Sequence, residues 1–440
     1  MLKKLVSAFL ATAVMFLLCG CKSYTADTAE LLSPPSLSGD LKNISEVIKL
    51  TAGDDYTLKY PSRGSYRSAV ITKDINNDGT DECFAFYGIS KGDTVTMHIN
   101  VIHKKNGEWQ SAGEQHIVAG GVDKVDFYDL DGNGVLDILV GYEIYGASEK
   151  QLAVYSFTEN TVTQRMLKKY TDFAVCNLDG DSKNEVLLID FNATEQKNTA
   201  SLYALNDEGV IQTGSCDLDG KVQSVGEPVV SQLSSGKPAV YIDSVKGLGA
   251  ITEVIFFENG ELLNTLYDSE LQENSKTLRS AAFTTYDING DGILEIPVQE
   301  NVPAVANAEV TEKLYLTKWC SFNGESLTTQ LTAMINTIDG YYYVIPQKWV
   351  GNIAVLKDTD NRIRQIYSYN NETLTVGDSL LYLQTFTKEE WENGKNKTSG
   401  LTEVMRDGQK VFVCEISASA KQEGLTLENV KSNFVIYEKE

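Results

Sequence analysis

The sequence is short of the residues and motifs from which most catalytic and metal centres are built. Of 440 residues only three are histidine, namely His98, His103 and His116. There is no HExxH helix, nucleophile elbow or phosphate-binding Gly-Lys-Ser/Thr loop, so the common signatures of zinc proteases, serine hydrolases and nucleotide hydrolases are missing. His98 and His103 stand an odd number of residues apart, so on one regular strand they face opposite ways, and the histidines are read as packing or surface residues in preference to a zinc site. The seven cysteines contain no CxxC pair. Cys83, Cys176, Cys216, Cys320 and Cys414 are scattered and read as small core residues, with one disulfide among them left open. Basic residues are scarce, 38 against 61 acidic ones for a net charge of −23. That balance excludes nucleic acid, or an anionic membrane face, as a partner of the protein surface. Long apolar runs are absent beyond residues 5–18, and that run is shorter than the roughly 20 residues that span a bilayer.

What is present begins with that run. Lys3 and Lys4 precede it, and it ends in Leu18-Cys19-Gly20-Cys21. This resembles a bacterial lipoprotein signal, with Leu and Gly at the third and first positions before the cysteine. The resemblance implies a signal peptide at 1–20, cleavage before Cys21, lipidation of its thiol, and attachment to the outer face of the cell membrane through that lipid only. Removing the signal with its two lysines takes the net charge to −25. Residues 21–45 contain a Ser- and Pro-rich, aperiodic stretch and read as a tether, holding the folded part roughly 25 Å from the membrane.

The main signal is a nine-residue loop written four times. Oxygen-bearing side chains stand at positions 1, 3, 5 and 9: Asp74, Asn76, Asp78 and Glu82; Asp129, Asp131, Asn133 and Asp137; Asn177, Asp179, Asp181 and Glu185; Asp287, Asn289, Asp291 and Glu295. Gly occupies position 6 in three copies. A hard cation such as Ca2+ needs this density of oxygen ligands on a tightly folded chain, so about four structural calcium sites are expected. In the third copy Asn177 and Ser182 replace the Asp and Gly of the others, which predicts the weakest site. Successive first positions are 55, 48 and 110 residues apart. The last step is two periods of 55, which places a fifth unit near Gln232 whose loop has lost its acids.

Each unit has an apolar strand entering the loop, a more apolar strand leaving it, and then two strands joined by a turn such as Asn106-Gly107 or Asn259-Gly260. Four antiparallel strands per roughly 50 residues is the period of a propeller blade. The units resemble the FG-GAP or VCBS-type repeats of bacterial surface proteins, and are similar to the calcium loops of integrin alpha-subunit propellers. That resemblance implies a fifth ligand from the position-7 carbonyl, here Thr80, Val135, Lys183 and Ile293. The expected fold is mainly β, a propeller of about five four-stranded blades over 46–336 followed by a small α+β domain over 337–440. In the latter, Thr387 and Glu390 read as a capping box opening a helix. This part resembles carboxy-terminal modules of Gram-positive lipoproteins.

The expected function is a non-enzymatic surface lipoprotein whose calcium-stabilised propeller acts as an adhesion or scaffold module for a protein or wall glycan. One alternative is an extracytoplasmic polysaccharide lyase or hydrolase using carboxylates in the propeller funnel. Another is an extracytoplasmic sensor or assembly partner. The enzyme ranks second because every clearly placed acid cluster falls in a loop.

Overall fold

The computed structural model describes residues 39–92, 94–144, 150–192, 194–206, 209–279, 283–303, 305, 314–394 and 400–437. The expected signal peptide and Cys21 lie outside the described residues. The chain is mainly β, as its β-branched and aromatic runs lead one to expect. Among the described residues no helix is long and apolar enough to cross a membrane.

The first sheet holds β1 (Tyr56–Leu58), β2 (Val70–Lys73), β3 (Glu82–Lys91), β4 (Thr94–Lys105) and β5 (Glu108–Val118). The second is β6 (Gly121–Tyr128), β7 (Asp137–Glu143), β8 (Lys150–Thr158) and β9 (Thr161–Tyr170), and the third β10 (Asp172–Cys176), β11 (Glu185–Asn192), β12 (Lys197–Asn206) and β13 (Gly209–Leu218). The fourth contains β14 (Ser224–Val225), β15 (Val229–Gln232), β16 (Pro238–Lys246), β17 (Gly249–Glu258) and β18 (Glu261–Leu263). A fifth begins with β19 (Ile296–Asn301), β20 (Tyr315–Phe322), β21 (Leu327–Asn336) and β22 (Tyr341–Val344). The sixth is β23 (Ile353–Asp358), β24 (Ile363–Asn370), β25 (Thr375–Thr387), β26 (Thr402–Asp407) and β27 (Lys410–Ile416). The chain then returns, and β28 (Phe434–Ile436) pairs with β22 to complete the fifth sheet. All the pairings are antiparallel, and the hairpins turn where local chemistry permits positive φ. Asn106-Gly107 and Asn259-Gly260 adopt φ of 55° and 84°, and 54° and 85°, the left-handed pair that matches strand twist.

No single sheet buries its own faces, and the core is divided accordingly. One cluster joins the first two sheets through Phe84, Phe86, Ile138 and Tyr155. Leu139, Leu152, Leu188 and Val186 join the second and third, and Leu187, Leu202, Val240 and Ile255 the third and fourth. Tyr241, Phe256, Ile296 and Phe322 join the fourth and fifth. Tyr341, Tyr343, Phe412 and Phe434 join the fifth and sixth.

Two expectations are corrected. The described strands form six sheets, four of them five-stranded, not about five four-stranded blades. No core cluster among the described residues joins the first sheet to the sixth, so the closed, integrin-like calcium propeller is withdrawn. The loop period counts strand–loop–strand units, whereas closure depends on packing between sheets far apart in the chain, which no local period records. At the expected domain junction, β21 pairs directly with β22 and β22 with β28, so one sheet crosses it.

The helix α1 (Gly39–Ala52) occupies residues read as tether and strand. Its Ile44 and Ile48 are buried against Cys83, Tyr87 and Ile102 of the first sheet. The spacing of Ile44, Val47 and Ile48, one helical face, was the signal for it. The unit expected near Gln232 is a short hairpin, with β15 and β16 closed by a Leu233 N–H to Lys237 carbonyl bond of 2.7 Å. In the last part, α2 (Lys388–Glu392) carries the expected Thr387/Glu390 capping box. Two more short helices, α3 (Ala418–Gln422) and α4 (Leu427–Ser432), follow.

Candidate functional site

The four acidic loops all connect a strand entering a sheet to the strand next to it. Three lie at β2–β3, β6–β7 and β10–β11, and the fourth is pinned by an isolated bridge between Tyr286 and Glu295 just before β19. Their internal bonding is nearly identical. The ninth residue is buried and its carboxylate accepts the second residue's N–H: Glu82 from Ile75 at 3.1 Å, Asp137 from Leu130 at 3.2 Å, Glu185 from Leu178 at 2.8 Å and Glu295 from Ile288 at 3.0 Å. The first residue accepts from the sixth in three loops, Asp74 from Gly79, Asp129 from Gly134 and Asp287 from Gly292. The third residues, Asn76, Asp131, Asp179 and Asn289, each accept from the fifth. The fifth residues, Asp78, Asn133, Asp181 and Asp291, accept the N–H of Thr80, Val135, Lys183 and Ile293.

Burial of the ninth carboxylate, reinforced by the charges of its acidic neighbours, raises its pKa. Glu185 is pushed up to about 7 and Asp137 to about 6, and Glu82 and Glu295 are raised. The third loop brings Asp179, Asp181 and Glu185 together with one oxygen of each within 4.8 Å of the others. Such a triad of hard oxygen donors can hold a divalent cation. Asn177 accepts from Gly180 at 2.7 Å, and Ser182 takes φ 75° where the other loops have glycine.

A different arrangement lies where the first three sheets meet. Residues 59–63 leave β1 and run beside β6, with the Ser62 and Arg63 N–H groups donating to the carbonyls of Val122 and Asp123 at 2.9 Å each. This places the Arg63 guanidinium between two carboxylates from different sheets. Its Nε is 2.7 Å from Asp123 Oδ1 and its Nη1 2.5 Å from Asp172 Oδ2. Tyr170 donates to Asp123 Oδ2 at 2.6 Å, and Lys150 reaches Asp123 Oδ1 at 3.1 Å. Gly141 makes room for this, since a Cβ there would overlap the Tyr170 hydroxyl. Lys124 stands over the Phe173 ring at 4.0 Å, with its Nζ 3.6 Å from Asp126 and 4.0 Å from Asp172.

The two acids of β6 are driven in opposite directions. Burial alone would raise Asp123, but hydrogen bonds from Arg63 and Tyr170 and the charges of Arg63 and Lys150 outweigh it, and the carboxyl is held below its ordinary range. Asp126 is raised by burial, which the nearby Lys124 offsets only in part. Arg63, Lys150 and Asp126 form the accessible edge of the cluster, with side chains 28%, 25% and 21% exposed. None of these residues was singled out by sequence. Asp123-Lys124-x-Asp126 on one strand is too common a pattern, and its partners Arg63 and Asp172 lie 60 and 109 residues apart from their bonded neighbours in the chain.

A third polar cluster is centred on Asp219, in the connection after β13. Asp219 is buried; its Oδ2 accepts from Lys246 Nζ at 2.7 Å and from Asn274 N–H at 2.9 Å. Its own N–H donates to Glu253 Oε1 at 3.0 Å. Burial and the Asp219 charge push Glu253 up to about 8. Elsewhere, Asp358 closes a turn by accepting from Asn361 N–H at 3.0 Å, and all five cysteines of the described residues are free thiols.

No family model matches the chain, and no curated protein does. Solved structures similar to it include a rhamnogalacturonan lyase of Bacillus licheniformis (11% identity, 71% of this chain and 75% of that one, TM-score 0.32). The rhamnogalacturonan lyase YesW matches at 11% identity over 86% and 96% of the two chains, TM-score 0.32. An exo-β-1,3-galactanase of Phanerochaete chrysosporium matches at 10% identity over 82% and 89%, TM-score 0.27. At such scores none of them assigns a role to this chain. The likeness to FG-GAP or VCBS repeats is withdrawn, since no family model carries it and the sheets do not close. The reading as a non-enzymatic adhesion or scaffold module is corrected as well. Its premise was that all placed acids serve the loops, and Asp123, Asp126 and Asp172 form an acid–base cluster outside them.

Proposed function

We propose that this protein is a carbohydrate-active enzyme working outside the cytoplasm, a polysaccharide hydrolase or lyase whose reacting groups are those at the edge of the Arg63 cluster. The observation that supports it is the unlike surroundings of two carboxylates on one strand, Asp123 held by Arg63, Tyr170 and Lys150, and Asp126 with Lys124 at 3.6 Å. Two carboxyls pushed apart in pKa supply an acid and a base at one pH. Asp126, whose pKa burial raises, is the candidate acid for the leaving oxygen of a glycosidic bond. Asp123, kept ionised by Arg63 and Tyr170, supplies the negative charge that the second carboxylate of a glycosidase provides. Arg63 and Lys150, about a quarter open to solvent beside them, favour a substrate carrying carboxylates. With such a uronate the same groups suit β-elimination: Arg63 and Lys150 neutralise the carboxylate, Asp123 takes the proton from the carbon beside it, and the bond from the next carbon to the glycosidic oxygen breaks, that oxygen leaving with a proton from Asp126 and a carbon–carbon double bond remaining.

The test is a panel of acidic and neutral polysaccharides incubated with the full chain and with Asp126→Asn. New reducing ends from the parent and not from the variant support hydrolysis, and ultraviolet-absorbing unsaturated products support elimination. No product from any acidic or neutral glycan, or equal product from the variant, counts against the site.

Calcium is proposed for the four loops, with side-chain donors Asp74, Asn76, Asp78 and Glu82 and their counterparts and the carbonyls of Thr80, Val135, Lys183 and Ile293. Its role is structural, since a divalent charge offsets the burial and the mutual repulsion that raise the ninth carboxylates. Lipid attachment at Cys21 is proposed as the anchor. A palmitate analogue is expected to label the parent and not Cys21→Ala, and equal labelling of both would count against it.

A further inference from the structure

The histidines, dismissed as a metal site when taken along the chain, are rearranged by strand pairing. His103 is buried and lies edge-on to Phe157 with centroids 6.2 Å apart, remote in role from the other two. His98 of β4 and His116 of β5 are direct cross-strand partners, so both side chains leave the sheet on one face. Their ring centroids are 5.5 Å apart. Glu114, two residues before His116 and so on the same face, bonds His98 Nδ1. Tyr87 of β3, the partner of His98 on its other side, stacks against that ring at 5.2 Å and 6°. His98 is thereby fixed in plane and tautomer with only Nε2 left to bind. The face also holds two buried polar atoms in no hydrogen-bond geometry: Tyr87 Oη, beside Glu114 and Asn100, and Asn100 Nδ2.

We infer that His98 and His116 form a binding site for a borderline divalent transition metal such as Zn2+, with Glu114 as the positioning residue. A ligating histidine characteristically gives its other ring N–H to a carboxylate, which fixes its orientation and raises its basicity. Glu114 makes that contact here. Two imidazoles on one tetrahedral ion, at about 2.0–2.1 Å each, hold their centroids roughly 5 Å apart, close to the separation found. His116 is exposed, and convergence on the ion requires a rotation of its ring away from the stacked position. The remaining coordination positions fall to water or to a group on an incoming molecule. Imidazole nitrogen selects zinc, copper or nickel over calcium, which sets this site apart from the oxygen-only loops. The net charge of −23 raises the local concentration of any cation near the surface.

The experiment is a calorimetric titration of the full chain with Zn2+ in a large excess of Ca2+, so that the loops do not compete. One equivalent of Zn2+ is expected for the parent. Binding is expected to weaken at least 10-fold in His116→Ala and in His98→Ala, and about 10-fold in Glu114→Gln. His116→Ala, at an exposed position, is expected to melt like the parent without Zn2+, so its loss of binding is read in a folded protein even where His98→Ala fails to fold. Zn2+ binding with the same stoichiometry and affinity in parent and His116→Ala, or no binding by the parent, overturns the proposal.

Discussion

The acidic loops and the Arg63 cluster both concentrate carboxylates, and they satisfy them in opposite ways. In the loops nearly every acceptor is met by an N–H of the same nine residues, and the charge is left uncompensated. In the cluster the acceptors are met by cations distant in the chain, Arg63 from beyond the sheet and Lys150 from another strand of it, and the charge is balanced on the spot. A locally bonded carboxylate site is therefore complete in shape but not in charge, and calls for an ion. A site assembled from three sheets is complete in charge, and its residual asymmetry, one acid raised and one lowered, is available for chemistry.

The largest effect that sharpens this contrast is on turnover. Asp126→Asn is expected to lower kcat/KM on the substrate found by the panel about 10²–10⁴-fold, with the melting temperature little changed; parent-like activity would reduce the cluster to a structural fastener. Next comes Arg63→Met, which removes the cation joining Asp123 to Asp172 and leaves Asp123 with Lys150 and Tyr170 and Asp172 with Lys124 at 4.0 Å. A loss of about 3–5 kcal/mol in denaturant unfolding is expected, whereas Asp291→Asn, in an exposed loop, is expected to cost far less when calcium is absent. Comparable losses in the two variants would erase the distinction.

Chelation tests the other side. Removing a loop ion supplied at about 100 times its Kd is expected to cost about 2.7 kcal/mol per site, restored by calcium, and an unchanged melting curve would show the loops need no ion. A smaller effect concerns Glu253, held neutral by burial with its pKa at about 8 against an ordinary 4.5. Between those values the folded chain keeps a proton that the unfolded chain releases, so the contribution to stability is full below about pH 4.5 and is lost as pH rises through about 8. Glu253→Gln is expected to flatten this dependence and to exceed the parent near pH 9 by on the order of 1–3 kcal/mol in thermal or urea unfolding. The smallest effect is expected from Ser182→Gly. It relieves a side chain held at φ 75° and is expected to add about 1 kcal/mol, measured with calcium absent.

The legible parts are those whose causes lie within a few residues. The strand–loop–strand units at Asp74, Asp129 and Asn177, the hairpin at Asn106-Gly107 and the cap at Thr387 all follow from local hydrogen bonding and backbone preference. The α1 helix was missed although Ile44, Val47 and Ile48 announce it, because the Ser- and Pro-rich residues before it were extended into a tether. The six-sheet layout was missed for another reason: β28 pairs with β22 across 91 residues, from Tyr343 to Phe434, and no periodic signal marks such a partner.

By itself the sequence determined the loop conformation and the order of strands, since each depends on φ preferences, alternation and side chains bonding their own backbone. Only the tertiary structure decided that Arg63 meets Asp123 and Asp172, that His98 faces His116, and that six open sheets form in place of a closed ring. Those outcomes depend on which apolar faces bury one another, and burial joins residues that lie far apart in the chain.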